Sequence, residues 1–95
     1  MSDRYYFFDA DDDLRWGVWL KGLIVPGLDP NLYRMDAYGS RMEYAEHGNR
    51  DDVWGWEIDH IVPASNGGSD ALSNLQPLNW RNNAKKGDGP GQLVR

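Results

Sequence analysis

The sequence predicts a small single-domain α+β fold, and three observations support this. The chain has 95 residues, a length that suits one domain with a modest core. Short runs of strand-forming residues in its middle are separated by turns containing Gly, Pro and Asn. Segments with helical spacing and capping residues lie near both ends. Five Trp, five Tyr and two Phe supply enough apolar surface for a compact core.

The N-terminal part is expected to be mixed. Residues 5–8 form an apolar run that suits a strand or an arm packed on the core, and residues 10–13 suit a turn. Helical spacing then predicts a helix over residues 14–21, with Asp13 before it as cap and Gly22 after it as stop. Residues 25–28 read as a connector. Residues 31–35 follow an Asp-Pro pair and predict one or two further helical turns.

The middle of the chain predicts a loose antiparallel hairpin. Its two strands are residues 41–45 and 53–58, on either side of a polar stretch. In a regular strand the neighbours Asp59 and His60 face opposite sides. We therefore expect the backbone to bend between them if both are to address one phosphate.

The last third predicts a loop, a strand and a helix. Residues 61–72 contain Pro63 and an Asn-Gly-Gly turn and read as a loop, and residues 74–78 return as a short strand. A helix over residues 80–86 follows, with Asn79 as its cap and Gly87 as its stop.

Residues 57–88 hold the side chains that could carry chemistry: Asp59, His60, Asn74, Asn83 and Lys86. A carboxylate binds a hard cation, an amide adds a neutral oxygen ligand, and histidine changes its charge near neutral pH. Positions 83 and 86 are three residues apart and therefore share a helix face. The set is suited to hydrolysis of a phosphodiester with one metal ion.

The order of motifs in this segment resembles the HNH (ββα-metal, or His-Me finger) endonuclease family. The motifs are D-H-I-V-P, G-G-S-D, S-N-L-Q-P-L and N-x-x-K-G-D, with His60 14 residues before Asn74 and 23 before Asn83. The resemblance covers about a third of the chain and implies a core made of an antiparallel hairpin and a helix, in the variant that has Asn at the last position.

The resemblance also implies roles. His60 is the expected general base, and Asp59 and Asn83 are the expected ligands of a divalent cation. Mg²⁺ is the expected ion, with Mn²⁺ or another divalent ion as alternatives. Asn74, grouped with His60 as catalytic, is expected to hold the loop that orients the histidine without touching the metal. The products implied are 5′-phosphate and 3′-hydroxyl ends. Each of three residues also has a purely structural interpretation. Asp59 could cap the end of a strand, Asn74 could form a turn, and Asn83 could be a polar residue on the helix surface.

Lys86 and Arg81 are the expected phosphate-binding residues. The last 16 residues contain four cationic residues and one Asp, a net charge of +3. Against this, the whole chain carries −5, and its first 13 residues hold five Asp and one Arg. Long-range attraction to DNA is therefore weak, and either short-range contacts suffice or another protein presents the substrate.

Many relatives of this type carry a structural zinc on two C-x-x-C pairs, whereas this chain has no cysteine. The positions of one such pair fall on Asn79 and Asn82. We therefore expect no structural zinc, and stability from aromatic packing and capping.

These features predict one HNH nuclease domain over residues 1–95, with an aromatic and helical extension at 1–39, the ββα-metal core at 40–88 and a tail at 89–95. The predicted function is metal-dependent cleavage of DNA by nicking or double-strand cutting. The alternative is a non-enzymatic or partner-dependent nucleic-acid-binding module that retains the fold.

The predicted partner is DNA; a protein partner or a homodimer stays open, and no membrane association is expected. No apolar run is long enough to span a bilayer and no signal peptide is recognisable, so we expect a cytoplasmic, soluble protein.

Overall fold

Two antiparallel sheets and two helices make up the fold in the computed structural model, which describes residues 10–88. In chain order the elements are α1 (Ala10–Trp19), β1 (Leu23–Ile24), β2 (Tyr33–Met35), β3 (Arg41–Glu43), β4 (Trp56–His60), β5 (Leu75–Asn79) and α2 (Trp80–Asp88). One sheet has the order β1-β2-β3 and the other is the β4-β5 hairpin. This arrangement confirms the α+β prediction. The strand expected at residues 5–8 lies outside the described residues.

Helix α1 begins earlier than predicted, because the acidic residues before it belong to its first turn. Asp11, Asp12 and Asp13 are helical rather than part of a turn, and the helix ends at Trp19 instead of residue 21. Carboxylates near a helix N-terminus interact favourably with the unpaired N–H groups there, which explains the early start. After the helix, the N–H of Gly22 donates to the carbonyl of Trp19 at 2.9 Å and closes the last turn.

The helical turns expected at residues 31–35 are wrong over most of that range. The N–H groups of Leu32 and Tyr33 both donate to the carbonyl of Asp29, which makes a single turn. The chain then extends as β2 because it pairs with β3, from Tyr33↔Glu43 to Met35↔Arg41. Strand pairing across a tight turn outweighs the local helical signal of the Asp-Pro pair.

The predicted hairpin between residues 41–45 and 53–58 is also wrong. Strand β3 pairs with β2, and β4 pairs with β5 in an unbroken register from Trp56↔Asn79 to His60↔Leu75. A 3₁₀ turn at Tyr44–Glu46 ends β3 and turns the chain away. The hairpin that matters for the site is therefore closed by the loop at residues 61–74.

The core joins the N-terminal helix to the hairpin. Its buried side chains are Val18, Trp19, Met42, Trp56 and Leu75. The rings of Trp19 and Trp56 are both fully buried, with their centroids 5.1 Å apart. Helix α1 thus covers one face of β4 and β5, and these aromatic contacts support the rigidity of the strand that carries the site.

Asn79 caps α2 as predicted, and the helix extends two residues beyond the expected end. The Asn79 Oδ1 atom accepts a hydrogen bond from the N–H of Arg81 at 2.9 Å. The helix continues through Gly87 to Asp88. Within residues 10–88, neither helix has both the length and the apolar character that crossing a bilayer requires.

Candidate functional site

Helix α2 lies across the outer face of β4, and this packing assembles the site. Along β4, Glu57 and Asp59 share the face toward α2, since side chains alternate in a strand. Asn83 donates from Nδ2 to Glu57 Oε1 at 2.7 Å, and Lys86 donates from Nζ to Asp59 Oδ2 at 2.6 Å. Two helix residues three positions apart therefore each donate a hydrogen bond to one of two strand residues two positions apart.

Asp59 is a fully buried carboxylate with two polar partners on its Oδ2 atom. Besides Lys86, the amide of Gln76, opposite it on β5, donates at 2.9 Å. Lys86 also donates to the backbone carbonyl of His60 at 2.9 Å. A buried carboxylate is costly unless its charge is compensated, and the Lys86 ammonium supplies that compensation.

His60 is the last residue of β4 and remains in regular register with Leu75. The bend expected between Asp59 and His60 is therefore absent, because the ladder continues to the strand end. The two side chains leave on opposite faces of the strand. Asp59 points toward α2, whereas His60 points toward the loop that follows β4.

Asp70 holds the His60 ring. The Nε2 atom of His60 lies 2.7 Å from Asp70 Oδ1, and the Asp70 side chain is 91% exposed. An ionised carboxylate only accepts hydrogen bonds, so the tautomer of His60 that suits this contact has its proton on Nε2. In the neutral ring the Nδ1 atom then keeps the lone pair that can accept a proton.

Asn74 ties the end of the loop to its beginning. Its side-chain amide accepts from the N–H of Val62 at 2.8 Å and donates to the carbonyls of Val62 and Ser69 at 3.0 and 2.8 Å. Its backbone carbonyl accepts from the N–H of Ile61 at 2.7 Å. The amide thus extends the hairpin ladder directly beyond His60 and shapes the backbone on which the histidine stands.

Gly68 allows the loop to close on Asn74. A β-carbon at Gly68 would lie 1.7 Å from the Val62 carbonyl oxygen and 2.9 Å from Asn74 Nδ2. Only glycine permits this approach of two backbone segments. The Asn-Gly-Gly sequence predicted a turn, and the structure shows that its second glycine has a packing role.

Glu57 links Asn83 to the guanidinium of Arg50, which lies outside the helix. Arg50 donates from both Nε and Nη2 to the two carboxylate oxygens of Glu57 at 2.7 Å. The hydrogen bonds from Arg50 lower the pKa of Glu57 below its ordinary value, and the Asn83 amide adds to this against the opposite effect of partial burial. Glu57 is therefore ionised at neutral pH and holds the amide nitrogen of Asn83.

Arg81 lies on another side of α2 from Asn83. Two helical residues differ by about 200° around the helix axis when they are two positions apart. Arg81 is exposed, and its guanidinium carbon lies 5.5 Å from the centroid of the Trp80 ring. The structure thus brings together Asp59 and Lys86, with Asn83 one turn away, and separates Arg81 from them.

Four contact residues of the site were missed or left undecided by sequence reasoning: Arg50, Glu57, Asp70 and Gln76. Glu57 had a signal, since it lies two residues before Asp59 on the same strand face. Asp70 lies in the G-G-S-D motif, so a carboxylate near His60 could have been sought there. The contacts of Arg50 and Gln76 depend on chain segments brought together by folding and had no local signal.

The donor set on the α2 face of β4 fits a hard divalent cation. Asp59 offers carboxylate oxygens and Asn83 an amide oxygen, which are ligands that Mg²⁺ takes alongside water. The same face already accommodates the positive charge of Lys86 beside Asp59. Within residues 10–88 no three His, Cys, Asp or Glu side chains are grouped as a metal cage.

Comparison with known proteins bears on this segment. Residues 46–89 match the family model described as HNH endonuclease. No curated protein and no solved structure matches the chain. The matched residues include β4, the loop, β5 and α2, together with all six predicted site residues. Over residues 46–89, the chain is therefore similar to the HNH endonuclease family, a family of nucleases.

Proposed function

We propose that the protein is a metal-dependent endonuclease that hydrolyses DNA phosphodiester bonds, with His60 as its general base. The observation that carries the proposal is the exit of Asp59 and His60 on opposite faces at the end of β4. A phosphate at this strand end would have the base on one side and the cation-binding carboxylate on the other. In-line displacement needs this arrangement, because the attacking and leaving oxygens lie on opposite sides of phosphorus.

His60 accepts the proton of the attacking water at Nδ1. Asp70 keeps the other ring nitrogen protonated through the 2.7 Å contact and fixes the ring orientation. Asn74 supports the same geometry through the backbone of Ile61 and Val62. We assign Asp70 and Asn74 as positioning residues because both act through His60.

Asp59 and Asn83 would hold the divalent cation, on the face of β4 opposite His60. Glu57 binds the nitrogen of the Asn83 amide, so the amide oxygen is directed away from Glu57. When bound, Mg²⁺ or Mn²⁺ would supply Lewis-acid stabilisation of the charge that grows on the 3′ oxygen. Lys86 donates to the His60 carbonyl at the strand end, and we assign it to contact the same phosphate.

A second function class stays open: a nucleic-acid-binding module, without activity of its own or active only with a partner. The net charge of −5 weakens attraction to DNA and therefore favours only the partner-dependent form of this alternative, in which another protein presents the substrate. The presence of Asp59, His60 and Asn83 together favours the enzyme. A single domain over residues 1–95 with the divisions at 39 and 88 and a cytoplasmic location remain predictions, and a protein partner or a homodimer stays open.

The test is plasmid cleavage. Purified protein is incubated with supercoiled plasmid and Mg²⁺ or Mn²⁺, and nicked and linear products are followed over time. We expect metal-dependent nicking that EDTA abolishes, and a loss of at least about 100-fold in the His60→Ala variant.

His47→Ala is the matched control, because His47 is the other histidine of the chain and lies on the core side against Trp56. Nicking that survives in His60→Ala would refute the assignment of the base. A wild-type protein that binds metal and DNA but leaves the plasmid intact would support the binding module instead.

A further inference from the structure

A groove runs beside α2 on the side away from Glu57. It consists of two adjoining depressions of about 380 and 470 Å³, which share Asn82 and Lys85 in their walls. One end is lined by Tyr38 and Lys86, and the other by Arg41, Trp54 and Arg81. We call it the α2 groove. Because Lys86 also contacts Asp59 and the carbonyl of His60, the groove starts at the candidate active site.

The α2 groove concentrates positive charge in an acidic protein. Four of the eight Lys and Arg residues in the described part of the chain line it: Arg41, Arg81, Lys85 and Lys86. Among the lining residues that the structure describes, none is Asp or Glu. The chain as a whole carries −5, so this local excess identifies a surface for an anion with several charges.

The groove also offers aromatic surface. Tyr38 is 67% exposed, the highest exposure among the large apolar and aromatic side chains of the described residues. Trp54 is half-buried, with the Arg41 guanidinium carbon 5.8 Å from its ring centroid and the Tyr33 ring edge-on against it. Tyr33 holds Trp54 in place, and the Arg41 guanidinium provides a second planar surface. Aromatic rings and guanidinium planes are the surfaces on which unpaired bases stack.

We propose that the α2 groove binds a single-stranded segment of nucleic acid that continues from the scissile phosphate. Its cations would contact successive phosphates, while Tyr38 and the Trp54–Arg41 pair would stack on bases. Bases in a duplex are stacked on each other and cannot reach these rings, whereas unpaired bases can. Each depression is within the size range of a small-ligand site, so there is room for a nucleotide in each.

This inference rests on the proposed function for the place of the scissile phosphate, from which the nucleic acid continues into the groove. The binding itself can be tested without cleavage. Fluorescence anisotropy in EDTA compares a labelled oligothymidylate with a labelled duplex of equal length. We expect tighter binding of the single strand. Tyr38→Ala should weaken it by about tenfold, whereas Tyr38→Phe, which keeps the ring, should bind like the wild type.

The salt dependence supplies a second, independent measurement. In Lys85→Ala the slope of log affinity against log salt concentration should fall in magnitude by about 0.7, the value for one phosphate contact on a single strand. Lys85→Arg should keep the wild-type slope. Both side chains under test are exposed, so neither change is expected to disturb folding, and circular dichroism verifies this.

The outcomes separate the groove from the nuclease. Duplex binding as tight as single-strand binding, or wild-type affinity in Tyr38→Ala, would overturn the groove proposal even if the plasmid is nicked. Single-strand binding that depends on Tyr38 and Lys85 would support the groove even if no cleavage occurs, in which case only the nuclease proposal fails.

Discussion

The side-chain amide of Asn82 donates to the buried carboxylate of Asp36 at 2.8 Å and to the hydroxyl of Ser40 at 2.9 Å. Asp36 also accepts from the N–H of Asn79 at 3.0 Å. Positions 79 and 82 are those on which the resemblance described above places the Cys pair of zinc-bearing proteins. In this chain a hydrogen-bonded carboxylate links the start of α2 to the β2–β3 turn.

Asp36 should therefore be a major contributor to stability. Its Oδ1 atom accepts from the N–H groups of Tyr38 and Ser40, and the side chain is fully buried. In Asp36→Asn an NH₂ group would face donors, and we expect a loss of about 3 kcal/mol in the free energy of unfolding. Urea unfolding measures this as a lower midpoint with an unchanged m-value.

Asp51→Asn is the control for this prediction, because Asp51 is exposed. It should change the free energy of unfolding by less than about 0.5 kcal/mol. Equal midpoints for the two variants would mean that the Asp36 network does not hold the helix to the turn.

Asp70 should tune His60 without being needed for folding. In Asp70→Ala the ring loses its acceptor at Nε2, and we expect nicking to slow by about tenfold, less than the loss from removing the base itself. Asp70→Asn keeps an oxygen acceptor and should recover part of the rate. Nitrogen NMR of the imidazole should show the Nε2-protonated form in the wild type and a mixture of tautomers in Asp70→Ala. An unchanged tautomer in Asp70→Ala would exclude the positioning role.

Lys86 should stabilise the metal-free protein and compete with the cation. Removing the ammonium in Lys86→Met leaves the Asp59 carboxylate without this ion pair. We expect a loss of about 2 kcal/mol in EDTA, below the usual cost for a buried pair because the Lys86 side chain is 23% exposed. Added Mn²⁺ should raise the melting temperature more in this variant than in the wild type.

The neighbouring Lys85 provides the matched control for that experiment. Lys85 is exposed, and Lys85→Met should leave both the stability in EDTA and the response to Mn²⁺ at wild-type values. If Mn²⁺ raises the melting temperature less in Lys86→Met than in the wild type, Lys86 does not compete with a cation for Asp59.

Two glycines should respond in opposite directions to the same substitution. In Gly68→Ala the new methyl group meets the Val62 carbonyl at 1.7 Å, so the loop must shift away from Asn74, at an expected cost of about 2 kcal/mol. In Gly87→Ala no described residue lies within 4 Å of the new methyl group. That change in α2 should stabilise by about 0.5 to 1 kcal/mol. Thermal unfolding of both variants tests the pair, and destabilisation by Gly87→Ala or none by Gly68→Ala would contradict it.

The sequence predicted what local spacing determines. Asn79 caps α2 as its residue type and position indicate, and the N-x-x-K spacing places Asn83 and Lys86 on one helix face. The strand partners were not predictable in this way. Residues 41–45 and 53–58 are neighbours in sequence, yet β4 pairs with β5, because pairing is decided by contacts between distant segments.

The same limit explains the residues missed around the site. Arg50 reaches Glu57 only because the chain between β3 and β4 folds back, with the N–H of Gly48 donating to the carbonyl of Trp56. The unbroken register of β4 could not be foreseen either. The bend was expected so that Asp59 and His60 could address one phosphate, whereas the mechanism we propose uses their opposite faces for in-line attack.

His47 should make stability depend on pH. Burial lowers the pKa of His47 below its ordinary value of 6.5, Arg15 adds to this, and Glu57 opposes it. The unfolded chain therefore takes up the proton at a higher pH than the folded protein. The contribution of neutral His47 is fully present above about pH 6.5 and is lost as the pH falls through the lower folded pKa.

The measurement is the urea midpoint as a function of pH, from about pH 7.5 to about pH 5, which is roughly the range in which histidines titrate. As the pH falls, the midpoint should decrease more steeply for the wild type than for His47→Gln. The substitution also removes packing against Trp56, but that loss is independent of pH, so only the difference in slope is diagnostic. Parallel pH profiles for the two proteins would mean that His47 titrates alike in the folded and unfolded chains.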